Sequence, residues 1–208
     1  MTRKESTFRP ALLLAALAAA TALSACAPLI VGGAAVGGAL VATDRRTSGT
    51  QVDDEAIELK AAGRIHDAIG DRGHVSVTSY NRMVLVTGEV PSAADQSAAG
   101  DAVKRVENVR STVNELAVAG NASLTSRSSD SIITGKVKAT YVDAKDLQTN
   151  SIKVVTERGI VYLMGRVTER EAARAADLAA GVSGVLKVVR VFEVISEAEL
   201  ADIATKAQ

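Results

Sequence analysis

The chain contains an internal repeat, which restricts its possible folds more than any other feature of the sequence. The segment 84–90, VLVTGEV, aligns with the segment 161–167, VYLMGRV, at an offset of 77 residues. Apolar positions around these segments align at an offset of 76: Ile57 with Ile133, Ala61 with Val137, Ile65 with Tyr141, Val106 with Val182, and Val109 with Val185. Such a repeat indicates two copies of one structural unit. We place the copies at residues 53–119 and 129–196, with a linker over 120–128.

Each copy begins with a predicted helix and a predicted hairpin. An apolar residue at every fourth position predicts the helix. Two runs rich in β-branched residues predict the strands of the hairpin. The strands are placed at 74–79 and 83–90 in the first copy, and at 151–156 and 160–167 in the second. Three-residue separators lie between them.

A second helix and a third strand complete each copy. Ser92 with Asp95, and Thr168 with Glu171, have the spacing of a capping box that begins a helix. Alanine-rich helices follow at 92–105 and 169–181, and the last strands are placed at 109–118 and 186–195. Each element has one apolar face to bury. The sequence therefore predicts an α+β fold of two tandem modules, each helix-strand-strand-helix-strand with two helices packed on one face of a three-stranded mixed sheet.

Gly88 and Gly165 occupy the same position inside the second strand of each copy. A glycine within a strand indicates a bulge or a close approach of another backbone. We favour this structural role over direct contact with a ligand.

Residues 1–25 have the features of a secretory signal. Arg3, Lys4 and Arg9 form a short basic region, and residues 11–22 contain only Ala, Leu and Thr. Residues 23–26, LSAC, resemble the lipobox of bacterial lipoproteins, so we expect cleavage before Cys26 and lipid attachment to its thiol. Cys26 is the only cysteine, which leaves it without a disulfide partner in the chain. A fortuitous cysteine after an ordinary signal peptide is the alternative.

Residues 26–52 are expected to form a lipidated tether and linker. The stretch 27–42 is almost entirely Ala, Gly, Val, Leu and Ile. A transmembrane helix is the alternative for this stretch, but each of its four glycines costs about 1 kcal/mol in a helix. At the other end, the C-terminal tail 197–208 is predicted either to form a short helix or to fray.

The second copy carries residues of a known family. The segments VYLMGRV at 161–167 and VSGV at 182–185 resemble a strand and a turn of the BON domain. Two such modules behind a lipobox resemble the dual-BON-domain outer-membrane lipoproteins, from the lipobox to about residue 195. The resemblance implies that the chain binds phospholipid, particularly anionic phospholipid, and supports outer-membrane integrity. Ala27 stands where an Asp would imply the inner membrane, which implies a lipid-anchored outer-membrane protein facing the periplasm.

A lipid-binding surface is predicted on the first helix of the second module. At about 100° per residue, Ile132, Lys136, Ala139 and Asp143 share a face with Gly135 beside them, a quarter-turn from the core stripe. An apolar side chain next to a cation suits a membrane interface with anionic headgroups. Burial of Ile132 between the two modules, or the absence of any role for it, are the alternatives.

Several classes of function are disfavoured. Without residues 1–25 the chain has a net charge of −2, and it contains no Trp, so neither a basic footprint nor a stacking platform for nucleic acid is present. The only histidines, His66 and His74, have no evident catalytic partners. The acids at 53–55 are explained by the start of a helix, where the dipole favours negative charge.

We therefore expect a protein that is not an enzyme, with no catalytic residue, no metal site, no small-molecule substrate and no cofactor apart from lipid on Cys26. The expected partner is outer-membrane phospholipid. The alternative function is a lipid-anchored periplasmic protein-interaction module that docks an envelope assembly or cell-wall machine.

Overall fold

The computed structural model describes residues 44–206, whose elements follow the predicted order. The first module contains α1 (Ser48–Ile69), β1 (His74–Tyr80), β2 (Met83–Val90), α2 (Ala93–Lys104), β3 (Ser111–Asn114) and β4 (Ala117–Val118). The second contains α3 (Leu124–Asp143), a 3₁₀ turn (Thr149–Ser151), β5 (Ile152–Glu157), β6 (Ile160–Val167), α4 (Glu169–Ala180) and β7 (Lys187–Val194). The last helix, α5 (Glu197–Lys206), follows β7. The predicted signal sequence, the predicted lipidation site Cys26 and the predicted tether up to residue 43 lie outside the described residues.

Both sheets are mixed, as predicted. β1 pairs antiparallel with β2, and β5 pairs antiparallel with β6. The hairpin turns contain two residues, Asn81–Arg82 and Arg158–Gly159, and are shorter than the separators predicted from the sequence. All four turn residues have positive φ, as a type I′ turn requires. The third strand of each module then pairs in parallel with the second.

The third strand of the first module is interrupted, whereas β7 in the second module is continuous. The first sheet therefore has four strands, because β3 and β4 pair separately with β2. The Asn114 side chain donates to Gln96 O at 2.8 Å and accepts from Leu116 N at 3.3 Å. These bonds accompany a local break at which Leu116 enters the core. The predicted single strand at 109–118 is thus two short strands.

Both helices of each module pack on one face of its sheet, as predicted. The first core joins α1, α2 and β2 through Ile57, Ala61, Ile65, Ala99, Val103, Val84 and Val86. The second core joins α3, α4 and β6 through Ile133, Val137, Tyr141, Ala172, Ala175, Val161 and Leu163.

The other faces of the two sheets pack against each other and form a third hydrophobic core. Its buried members come from both modules: Tyr80, Met83, Leu85, Tyr162, Met164 and Val191. Side chains alternate between the faces of a strand, so Leu85 and Met164 enter this core while their neighbours point to the helices. Residues 44–206 therefore form four layers, helix–sheet–sheet–helix, with the helices of the two modules on opposite outer layers.

Polar contacts hold the modules together around this third core. The Tyr80 hydroxyl donates to Ser151 O at 3.2 Å, and Lys153 Nζ lies 2.9 Å from Glu58 Oε1. Glu193 pairs with Arg110 at 2.8 Å. Burial raises the pKa of the Glu193 carboxyl, but its hydrogen bonds with Arg110 and Asn81 outweigh that effect and hold the pKa below its usual value.

Helices extend into both predicted linkers. α1 begins at Ser48 inside the linker predicted to end at residue 52, because Thr47 Oγ1 accepts from Thr50 N at 3.1 Å and caps the helix. α3 begins at Leu124 inside the linker predicted at 120–128, with Ser123 as the cap. At the other end, the tail is helical over Glu197–Lys206.

The presence of a glycine at the same strand position in both modules has a steric reason. A Cβ at Gly88 would collide with His74 O, and a Cβ at Gly165 would collide with Ser151 O. Gly88 also has a φ of +116°. Each glycine allows its strand to approach the first residues of the hairpin partner, which is the close approach predicted from the sequence.

No helix within residues 44–206 is both long enough and apolar enough to cross a membrane. The alternative of a transmembrane helix at 27–42 concerns residues that the structure does not describe.

Candidate functional site

The orientation of α3 is fixed by its buried side. Ile133, Val137 and Tyr141 enter the second core, and the Tyr141 hydroxyl donates to Ala175 O at 2.8 Å. Asp130, which is also buried, accepts from the backbone N–H groups of the turn that joins β5 to β6. The opposite side of α3 therefore faces outward from an outer layer of the fold.

All five residues of the predicted lipid-binding surface are exposed: Ile132, Gly135, Lys136, Ala139 and Asp143. The Ile132 side chain is 59% exposed, so its predicted alternative, burial between the modules, is wrong. The reason is that the modules pack through the faces of their sheets, while α3 lies on the outside. A Cβ at Gly135 would meet nothing within 4 Å, so the surface beside Ile132 is open.

Two further apolar residues on this side of α3 were not included in the predicted surface. Leu124 is 80% exposed and Val142 is 70% exposed. At about 100° per residue they share the outward stripe with Gly135 and Ala139, and the stripe extends for about 27 Å. The helical spacing of residues 124, 135, 139 and 142 indicates this stripe in the sequence. The linker predicted at 120–128 covers the first residues of the helix, however, so Leu124 was not assigned to it. We call Leu124, Ile132, Gly135, Ala139 and Val142 the α3 stripe.

Lysines flank the α3 stripe on both sides. Lys136 and Lys138 are exposed, and neither forms an ion pair with any of residues 44–206. Asp143, the last residue of α3, is also exposed and unpaired within that range. Cations free of protein partners are available to anionic groups outside the protein.

A buried cluster of acidic residues lies near the N-terminal end of α3, between the modules. Glu89 of β2 is fully buried and accepts from Ala122 N at 3.2 Å, and Arg158 lies 3.6 Å from it. Burial, together with the charges of Glu89 and Asp130, raises the pKa of Glu157 to about 7 against the opposing effect of Arg127 and Arg158.

The residues considered for catalysis or metal binding have structural or surface positions. His66 is exposed, with Nδ1 3.6 Å from Asp71. Asp54 does not lie in the first turn of a helix as predicted, because α1 begins six residues earlier. Its carboxylate instead accepts from Asn81 N and Arg82 N and so holds the first hairpin turn. Among residues 44–206, no three His, Cys, Asp or Glu side chains are arranged to hold a metal ion.

Comparison with known proteins identifies the family. The BON domain matches residues 53–120 and 129–196. The chain is 42% identical to outer membrane lipoprotein DolP of Haemophilus influenzae over 191 residues, which is 90% of this chain and 98% of that protein. The chain belongs to the BON-domain family and contains two BON domains, which confirms the predicted family and fold class.

Two more distant relatives share most of the same region. The 21 kDa hemolysin of Actinobacillus pleuropneumoniae is 32% identical over 154 residues, covering 73% of this chain and 79% of that protein. The osmotically-inducible protein Y of Escherichia coli is 32% identical over 145 residues, covering 67% of this chain and 72% of that protein.

Proposed function

We propose that this protein is a non-catalytic outer-membrane lipoprotein that binds anionic phospholipid through α3 of its second BON domain and supports outer-membrane integrity. The similarity to an outer membrane lipoprotein along nearly the full length of both chains supports the location. A relative named as a hemolysin supports a membrane as the partner. In this proposal the lipid is attached to Cys26, and the folded modules face the periplasm.

The observation that carries the proposal is the α3 stripe with its flanking lysines. An exposed apolar stripe between unpaired cations is the arrangement by which a helix lies in a membrane interface. Each lysine near an anionic surface contributes about 1 kcal/mol, so the surface alone binds weakly. A covalent anchor on the same chain compensates by raising the effective concentration of the surface at the membrane.

Vesicle co-sedimentation of a soluble fragment, residues 44–208, tests this proposal. The fragment contains all three hydrophobic cores, and residues 44–206 belong to one compact unit. We expect stronger binding to vesicles with phosphatidylglycerol than to phosphatidylcholine alone. Ile132→Glu should weaken binding about tenfold, because it removes apolar contact and adds a repelled charge.

The repeat supplies matched controls for this experiment. Ala56 occupies the position of Ile132 in the first module, and Lys60 occupies that of Lys136. Ala56→Glu and Lys60→Glu should leave vesicle binding unchanged, whereas Lys136→Glu should reduce it. Equal binding to neutral and anionic vesicles, unaffected by Ile132→Glu, would exclude lipid recognition by α3.

A second candidate function is the docking of an envelope protein. It is favoured by an exposed apolar pair on α1, Val52 at 66% and Leu59 at 78%, on the outer layer opposite α3. If α3 faces the membrane, this pair faces away from it. Site-specific crosslinking from Leu59 in cells tests this function: stoichiometric capture of one protein supports it, and the absence of capture contradicts it.

A further inference from the structure

An open groove adjoins the proposed lipid-binding surface. It lies between α3 and the C-terminal end of α4 with the loop that follows, and its volume is about 540 Å³. Its walls are formed mainly by Lys136, Ala139, Thr140, Asp177, Leu178 and Val182. Lys136 and Ala139 also belong to the predicted lipid-binding surface, so the surface and the groove are continuous.

The loop after α4 is held close to α3 by the backbone. Gly181 N donates to Asp177 O at 3.2 Å where the helix ends. Gly184 has a φ of +100°, and a Cβ there would lie 3.1 Å from Ile133 Cγ1. This glycine therefore lets the loop rest against α3. Leu178 and Val182 also pack against the second core, which gives the groove an apolar floor.

The two walls of the groove carry opposite charges that do not pair. Lys136 lies on the α3 wall and Asp177 on the α4 wall, and both are exposed. Neither side chain has an ion-pair partner among residues 44–206. The C-terminal end of α4 adds partial negative charge to the Asp177 wall. A ligand that bridges the walls must therefore present a negative group to Lys136 and a hydrogen-bond donor to Asp177.

We infer that this groove binds the headgroup of a single phospholipid and selects headgroups that carry hydrogen-bond donors beyond the phosphate, such as glycerol or ethanolamine. The phosphate pairs with Lys136, and the hydroxyl or ammonium group donates to the Asp177 carboxylate. The acyl chains follow Ala139 and Ile132 into the membrane. The inference rests on the proposed function. It adds selection by headgroup hydrogen-bond donors to the selection of lipids by charge.

Four vesicle compositions separate the effect of headgroup charge on binding from the effect of headgroup hydrogen-bond donors. Phosphatidylcholine is neutral without donors, and phosphatidylethanolamine is neutral with donors. Phosphatidylmethanol is anionic without donors, and phosphatidylglycerol is anionic with donors. Each test lipid is mixed at the same mole fraction into phosphatidylcholine, and binding of residues 44–208 is measured. We expect about fivefold tighter binding to the donor-bearing member of each pair, because the donor makes a charge-assisted hydrogen bond with a carboxylate.

The variant Asp177→Ala assigns this difference to the groove. It should lose the preference for donors within both pairs and keep the preference for anionic over neutral vesicles. Asp101, the repeat counterpart of Asp177, is an exposed acid on α2. Asp101→Ala is the matched control and should keep both preferences. Because Asp177 is exposed and its side chain has no partner within residues 44–206, its replacement should leave the thermal midpoint unchanged.

Two results would overturn the inference. One is equal binding of the wild-type fragment to phosphatidylglycerol and phosphatidylmethanol. The other is a donor preference that persists in Asp177→Ala. Failure of the proposed function looks different, because anionic and neutral vesicles would then bind equally and Ile132→Glu would have no effect.

Discussion

Arg45 and Glu171 are 126 residues apart in the chain and form a buried, two-pronged ion pair with both N–O distances at 2.7 Å. Their side chains are 8% and 5% exposed. Glu171 also completes the capping box at the start of α4. The pair therefore attaches the segment just before α1, which leads to the first module, to the second module. The neighbouring Arg46 binds Asp54 of the first module at 2.8 Å, so adjacent residues contact both modules.

Replacement of Arg45 by Ala should destabilise the folded unit by about 3–5 kcal/mol, because it leaves the Glu171 carboxylate buried without its cation. Urea unfolding followed by circular dichroism measures the loss. Arg190 pairs with Glu169, which also lies in the first turn of α4, and the two side chains are 52% and 70% exposed. Arg190→Ala is therefore the control and should cost less than about 1 kcal/mol. Similar losses in the two variants would contradict the importance of burial.

The same ion pair predicts a loss of stability in acid. Burial raises the pKa of Glu171, but the hydrogen bonds from Arg45 and Thr168 N outweigh that effect and lower the pKa below its usual value of 4.5. A lowered folded-state pKa contributes stability above the unfolded-state value, which disappears as the pH falls through the folded-state value. The stability difference between wild type and Arg45→Ala should therefore shrink below pH 4.5. A constant difference across that range would argue against the pair.

Glu157 predicts the opposite pH dependence. Burial and nearby carboxylates raise its folded-state pKa from 4.5 to about 7, so its contribution to stability is full below pH 4.5 and is lost as the pH rises toward 7. Glu157→Gln removes this charge. We expect the variant to gain stability relative to wild type between pH 4.5 and 7, with no further gain above that window. Denaturation midpoints measured across this range check the prediction, and parallel curves for the two proteins would refute it.

Leu124 and Val142 should contribute to membrane binding although they lie near opposite ends of α3. Replacing both with Ser removes apolar surface from the α3 stripe while leaving the buried side of the helix intact. We expect vesicle binding to weaken about fivefold to tenfold. Val52→Ser with Leu59→Ser on α1 makes the same change on the opposite outer layer and should not alter binding. An equal loss of vesicle binding in the two double variants would show that exposed apolar area, rather than the position of α3, determines binding.

Gly88 and Gly63 should respond in opposite ways to replacement by Ala. At Gly88 the new Cβ would collide with His74 O, and the φ of +116° is strained for any other residue. We expect a loss of several kcal/mol or failure to fold. At Gly63, inside α1, a Cβ meets nothing within 4 Å, so Ala should stabilise the helix by up to about 1 kcal/mol. Thermal unfolding of the two variants tests both expectations, and tolerance of Ala at Gly88 would contradict the steric explanation.

Much of the fold could be predicted because its signals are local and occur twice. The four-residue spacing of Ile133, Val137 and Tyr141 identified the buried side of α3, and so placed Ile132 and Lys136 on its exposed side. The same alignment of copies located Gly88 and Gly165. The first residues of α1 and α3 were predicted too late in the chain. The side chains of Thr47 and Ser123 cap these helices inside segments whose composition suggested linkers.

The sequence by itself determined two copies of one module, their element order, and which side of each helix is buried, because helix and strand periodicity are properties of neighbouring residues. Only the tertiary structure decided that the modules pack sheet to sheet. The expectation of one apolar face for each element was wrong for β2 and β6, which are buried on both faces because the other module covers the second one. The Arg45–Glu171 pair and the groove between Lys136 and Asp177 also depend on residues far apart in the chain. Their distances follow from how whole layers pack, which periodicity does not encode.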